Sequence, residues 1–159
     1  MMSPFEKLLD DLVKGDVRYV TVGGIACAFA GHVRATQDVD ILVSPEPENI
    51  RRLLDALEHF GEGHARKLDV SDFSVQPGAI RIVEDFPLDV FTVMAEKTYD
   101  DMQSHIKWWQ REGVKIPYLD ARGLILLKSD SPRPRDQQDV AALQNILALR
   151  SDHNGNKDF

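Results

Sequence analysis

A short apolar run ending on two glycines, Tyr19-Val20-Thr21-Val22-Gly23-Gly24, is followed thirteen residues later by Asp38-Val39-Asp40-Ile41. This pairing constrains the chain more than any other feature. A strand over Arg18 to Val22 ends on glycine, and a second strand, Asp38 to Val43, carries two acids at spacing i, i+2. Side chains alternate across a strand, so Asp38 and Asp40 share one face while Val39 and Ile41 share the other. Two like charges side by side on a sheet repel unless a cation stands between them. Oxygen-only donors suit Mg²⁺, which takes one or two carboxylates and keeps its other positions for water and phosphate oxygens. Glycine at the strand end lets a phosphate approach the backbone closely. The combination points to a metal-nucleotide site.

The 159 residues suit one domain, read as 1–150 with a core over about 16–95, a C-terminal extension over about 96–150 and a flexible tail over 151–159. Hydrophobic residues make up 43% of the chain, enough for a core. The sequence has no apolar run of membrane-spanning length and no basic-then-apolar leader, so a cytoplasmic protein without a membrane partner is expected. The single cysteine, Cys27, excludes an internal disulfide, and its Ala-rich setting reads as a buried structural thiol. Net charge is −7, divided as −8 over residues 1–100 and +1 over 101–159. An acidic chain lacks the broad basic surface of non-specific nucleic-acid binding. The candidate basic positions, Lys107, Arg111 and Lys115, then Lys128, Arg133 and Arg135, are sparse and read as solvated charges.

Ser3, Pro4 and Glu6 form a helix start with a capping box, and Gly15 stops that helix. Ile25 to Ala30 reads as a helix beginning at the glycines. Ile50, Leu53, Leu54 and Leu57 mark another, ended by Gly61 and Gly63. A strand is expected near Phe73 to Val75. Ala79 to Val83 and Leu88 to Val93 form a hairpin around Glu84-Asp85-Phe86-Pro87, and Ile106 to Gln110 and Val114 to Tyr118 form another around Glu112-Gly113. Thr98 to Met102 reads as a helical turn. Asp120 caps a helix ending near Lys128, and apolar spacing places the last helix over Asp136 to Leu149. The pattern is α+β: a mixed central sheet flanked by helices, with a small C-terminal helical part.

Leu88-Asp89-Val90-Phe91 offers a third acid. Asp89 is flanked by apolar residues in a strand, where an unpaired carboxylate is costly to bury. Beside Asp38 to Val43 it would join the other two acids on one face. Val22-Gly23-Gly24, the thirteen-residue spacer and Asp38-Val39-Asp40-Ile41, with Asp89 alone on a later strand, resemble the nucleotidyltransferase superfamily related to DNA polymerase beta. Arg34-Ala35-Thr36-Gln37-Asp38-Val39-Asp40, and the late Lys128 followed by Arg135, Asp136 and Asp139, are similar to small prokaryotic members grouped with AbiEii-type toxins and minimal nucleotidyltransferases.

The resemblance implies a nucleotidyltransferase-like fold and transfer of an NMP from an NTP such as ATP to an acceptor hydroxyl. It implies Asp38, Asp40 and Asp89 as catalytic metal ligands for two Mg²⁺ ions. Gly23 and Gly24 would receive the triphosphate. Arg34 and Thr36 stand as phosphate contacts or as plain loop positions, and Lys128 as a phosphate lysine or the polar end of a helix. Many members carry serine where this chain has Gly24. The acceptor stays open among a protein side chain, a tRNA end and a small drug. A second reading is a weakly catalytic or non-catalytic component of a toxin-antitoxin pair that acts by binding its cognate protein.

Three further features complete the reading. Asp136 and Asp139 are expected to cap and solvate the last helix or pair with Arg135. The histidines His32, His59, His64, His105 and His153 show no metal-ligand spacing on one helix. Trp108-Trp109 is expected to turn one ring inward and one outward.

Overall fold

Ser3 and Pro4 open the first helix as their chemistry requires, the Ser3 hydroxyl accepting from the Glu6 N–H 3.1 Å away. The computed structural model describes residues 2–157. Helix α1 is Pro4–Lys14, closed by Gly15 as expected. The Glu6 side chain does not close the capping box; its carboxylate accepts from Arg111 at 3.0 Å, tying α1 to the far edge of the sheet.

Strand β1 (Tyr19–Val22) runs straight into α2 (Gly23–Phe29), so the helix takes both glycines as its first residues. Strand β2 is Val39–Val43, with Asp38 just before it, and α3 is Pro47–Ala56. That helix ends ahead of Gly61 and Gly63, because the chain already turns at Leu57. The segment read as a strand near Phe73 follows two short 3-10 turns, His64–Lys67 and Val70–Asp72, the second fixed by a capping box between Asp69 and Asp72. Phe73 still buries its ring in the core.

Strands β3 (Ile80–Val83) and β4 (Pro87–Phe91) form the first expected hairpin. A small ribbon of β5 (Val93–Met94) and β6 (Lys97–Thr98) follows. Its loop residues Ala95 and Glu96 have φ of 47° and 63°, a backbone normally signalled by Asn-Gly, which explains why the sequence does not announce this turn. The helical turn expected over Thr98 to Met102 is a 3-10 turn at Asp100–His105. Strands β7 (Ile106–Arg111) and β8 (Val114–Leu119) form the second expected hairpin, turning through positive φ at Glu112 and Gly113. Asp120 caps α4 (Ala121–Lys128) by accepting from the Gly123 N–H. The last helix, α5 (Pro134–Lys157), starts two residues before Asp136 and continues past Leu149 into the segment read as a tail; Asp158 and Phe159 lie outside the described residues.

The six-stranded sheet has the order β3-β4-β2-β1-β8-β7. Pairs β2–β4 and β1–β8 are parallel and the rest antiparallel, the mixed α+β sheet expected. Alternation along the strands builds two cores. Tyr19, Val39, Ile41, Leu88 and Val90 face α1 and α3, while Val20, Val22 and Leu42 face α2, α4 and α5. Val39 and Ile41 thus point away from Leu42, which puts Asp40 on the α2–α4–α5 face. Cys27 is buried in that second layer. Trp109 stacks on Phe29 with ring centroids 4.7 Å apart, and Trp108 is 46% exposed with Lys115 over its ring, the inward and outward pair expected. No helix among the described residues is long and apolar enough to cross a membrane.

Candidate active site

Register aligns the acids. Asp40 on β2 lies opposite Asp89 on β4, and Asp89 lies opposite Arg81 on β3. Val22, the last residue before the glycines, lies opposite Asp40 on its other side. One row across four strands therefore reads Arg81, Asp89, Asp40, Val22, all on one face.

Gly23 has φ of 72°, and a Cβ there would overlap the Asp40 carboxylate, coming 2.9 Å from its Cγ. Only glycine gives both the backbone and the space. A Cβ at Gly24 would meet Thr36 Oγ1 at 2.7 Å and Arg34 Nη1 at 3.0 Å. The room that a serine side chain would need is filled by Thr36 and Arg34, which places a hydroxyl there from the neighbouring loop. Thr36 in turn donates to the Asp38 carbonyl at 3.4 Å, holding that loop against the first acid.

A cavity of about 400 Å³ opens over this row. Its wall includes Gly23, Gly24, Arg34, Thr36, Asp38, Asp40, Asp89 and Lys128, so all eight residues singled out in the sequence meet at one place. Arg133, Arg135 and Asp136 line the cavity from the start of α5 and the loop before it.

Two arginine clamps frame the cavity. On one side Arg81 donates to both oxygens of Asp89, at 2.9 Å each, and reaches Asp38 Oδ2 at 3.2 Å. On the other, Arg34 grips both oxygens of Asp139 at 2.8 and 3.0 Å. Lys128 Nζ joins Asp139 at 3.0 Å and Asp136 at 2.9 Å, and His32 Nε2 lies 3.2 Å from Asp139. Asp139 is fully buried. The expected pairing of Asp136 and Asp139 with Arg135, and their solvation at the helix surface, is therefore corrected. Asp139 turns inward, and its partners come from the loop after α2 and the end of α4.

Charge crowding shows in the acids. Burial, then the Asp89 and Asp38 charges, push Asp40 up from its ordinary 3.8 to about 7. Arg81 is raised by its hydrogen bond and ion pair with Asp89. Burial pulls Lys128 down, but its hydrogen bonds to Asp136 and Asp139 outweigh that and its net shift is upward. Among the described residues no three His, Cys, Asp or Glu side chains stand as a preformed metal cage. The donor chemistry of Asp38 and Asp40 nevertheless suits a hard divalent ion. Both are carboxylates at the cavity wall, and Asp40 is short of positive charge.

This crowding has a measurable consequence. The folded state holds the Asp40 proton more tightly than the unfolded chain does. Its stabilising contribution is fully present below about pH 4 and is lost as pH rises through about 7. Melting temperature in the absence of divalent ions is expected to fall between pH 5 and pH 8, and Asp40→Asn is expected to flatten that fall. An equal fall in the variant would show that another group is responsible.

Arg81 is one of the site residues that sequence reasoning misses, beside Arg133 and Arg135, which read as solvated charges and line the cavity. A four-residue turn over Glu84-Asp85-Phe86-Pro87 pairs Arg81 with Val90 and turns it to the wrong face. The actual turn is one residue shorter, with Val83 opposite Pro87, which sets Arg81 opposite Asp89.

No curated protein sequence matches this chain. A crystal structure of a candidate nucleotidyltransferase from Thermotoga maritima superposes with a TM-score of 0.54 at 16% identity, covering 94% of this chain and 89% of the other. That likeness shows the fold. Residues 5–152 match the family described as nucleotidyltransferase of unknown function, DUF6036. With the match spanning nearly the whole chain, this protein belongs to that nucleotidyltransferase family.

Proposed function

We propose that this chain transfers an NMP from an NTP to an acceptor hydroxyl, with a divalent cation bound at Asp38 and Asp40. The observation that carries the reading is the convergence of Asp38, Asp40 and Asp89 on one cavity wall beside Gly23 and Gly24. Its volume of about 400 Å³ is in the range of small-ligand sites. The triphosphate would lie in the cavity beside the glycine backbone, where the lack of side chains on Gly23 and Gly24 makes space for the Asp40 carboxylate, Thr36 and Arg34 at its wall. Arg34, Thr36 and Lys128 face it from the loop and from α4, with Arg133 and Arg135 beyond.

When bound, the cation supplies charge stabilisation to the phosphoryl oxygens and lowers the pKa of the attacking hydroxyl. The chain's own part is positioning and proton handling. Arg81 fixes both Asp89 oxygens in place, and each keeps a lone pair for the acceptor O–H. The acceptor oxygen forms a bond to the α-phosphorus as the bond to the β-phosphate bridging oxygen breaks. Pyrophosphate leaves with the electron pair, and the acceptor proton passes to Asp89 and then to solvent. The acceptor classes are a protein side chain, an RNA end and a small hydroxylated molecule.

The test is incubation of the protein with each of the four α-³²P-labelled NTPs, Mg²⁺ and cell lysate. Label from the α-position is expected on one acceptor class, with release of pyrophosphate. Label arriving from a γ-³²P position, or none from any α-labelled NTP, would overturn the reading.

A further inference from the structure

We infer that the open edge of strand β7, with a second cavity beside it, docks an extended segment of a partner protein that alternates apolar and acidic residues. Ile106 and Trp108 of this edge do not line the cavity over the acids, so docking here is independent of the transfer reading. The ladder between β7 and β8 carries the first part of the argument. The Asp120 N–H donates to the His105 carbonyl at 2.9 Å, and hydrogen-bonded pairs alternate from there along the antiparallel register. Lys107, Trp109 and Arg111 therefore bond to β8, while Ile106, Trp108 and Gln110 turn their N–H and C=O groups outward. Pro117, which has no N–H to give, falls opposite Trp108, as this phase requires. Strand β7 ends the sheet, and its six residues leave about 20 Å of edge without a neighbouring strand. The opposite edge, β3, has four residues and carries the His64 ring on its Val83 carbonyl at 3.0 Å.

A cavity of about 380 Å³ adjoins that edge. Ile106 and Trp108 line it with Pro117, Tyr99 and Val17, and Asp16 and Arg18 cancel in formal charge at its wall. Ile106, Trp108 and Gln110 share one face of β7. A strand added to the edge places its own alternate side chains on that face, against the half-exposed Trp108 ring and into the cavity. Main-chain bonds supply affinity in such an addition, and the pocket supplies selectivity. These alternate positions call for apolar residues.

Charge selects the positions between them. Strands β7 and β8 contain Lys107, Arg111 and Lys115 and no acid, in a chain whose net charge is −7. Arg111 is held by Glu6. Lys115 Nζ lies 4.7 Å from the Trp108 ring centroid, and neither Lys115 nor Lys107 pairs with a carboxylate among the described residues. Lys107 projects to the face opposite Trp108. The partner's intervening side chains meet a lysine there, so acids suit them. A second copy of this chain fits poorly, because its β7 edge brings the same lysines and no acid.

The test titrates the full chain with a short fluorescein-labelled peptide alternating valine and glutamate, read by anisotropy and tryptophan emission. Saturable binding is expected, at least about tenfold tighter than that of a valine-lysine peptide. The valine nitrogens and the glutamate nitrogens face opposite edges of an extended peptide. Methylating one set is therefore expected to weaken binding at least about tenfold more than methylating the other. Gln110→Pro removes an outward N–H and leaves the bonds to β8, and Trp108→Ala removes the ring; each is expected to weaken binding at least about tenfold. Circular dichroism confirms that each variant is folded, and the methylated peptides test the edge without any variant. No saturation, equal binding of the acidic and basic peptides, or equal effects of the two methylations would overturn the inference. A wild-type dimer in sedimentation that Gln110→Pro dissociates would overturn it in favour of a second copy. Tighter binding of oligouridine than of the acidic peptide would overturn it in favour of nucleic acid.

Discussion

Asp40→Asn and Asp89→Asn are each expected to lower NMP transfer at least about 10³-fold, corresponding to about 4 kcal/mol of lost transition-state stabilisation. Each change is nearly isosteric and removes one negative charge. At Asp40 the amide weakens the cation site. It also relieves repulsion among three acids, so the metal-free variant is expected to melt above the wild-type protein at pH 8. At Asp89 the amide loses the strong hold of Arg81 and cannot accept the acceptor proton. Arg81 then turns to Asp38 or to solvent, both within reach of its half-exposed side chain, so the fold is kept. The measurement is kcat/KM for label transfer beside a circular dichroism melt. Unchanged transfer in both folded variants would remove these acids from the chemistry.

The half of the site built from glycines and acids was legible because its signals are local. Glycine at a strand end and acids at i, i+2 depend only on backbone freedom and strand alternation. Asp89 was legible because a lone charge in an apolar strand requires a partner. The flanking clamps were not legible, for different reasons. Arg81 depends on hairpin register, and shortening the turn by one residue moves a side chain from one face to the other. Asp139 depends on how α5 lies against the loop after α2, a contact spanning 105 residues that no local pattern records. On α5 alone, an acid among Gln137, Gln138 and Asp136 reads as a solvated helix start. Packing reverses that reading by burying Asp139 completely.

Asp139→Ala is expected to destabilise the protein by about 3–5 kcal/mol, the usual consequence of removing one partner from a buried ion pair. Asp139 lies at the centre of the network. Both of its oxygens are held by Arg34, and Lys128 and His32 add to them. Without it, Arg34 keeps only a 3.2 Å contact to the Ala35 carbonyl, and Lys128 keeps only Asp136. Burial alone pushes the Asp139 carboxyl up, but the hydrogen bonds from Arg34 and Lys128 outweigh this and hold it below its ordinary value. Its contribution is therefore present above the ordinary carboxylate range and is lost as pH falls through the lowered value. Asp136 is the internal comparison. It contacts Lys128 and Ser131 from a partly exposed position, so Asp136→Ala is expected to cost about 1 kcal/mol. Urea melts at pH 7 measure both. Because Arg34 and Lys128 also line the cavity, Asp139→Ala is expected to weaken NTP binding together with stability, raising KM more than it lowers kcat. Equal costs for the two substitutions would mean that burial at Asp139 adds nothing. A stability loss with unchanged KM would mean that the network braces the fold without orienting the cations that face the nucleotide.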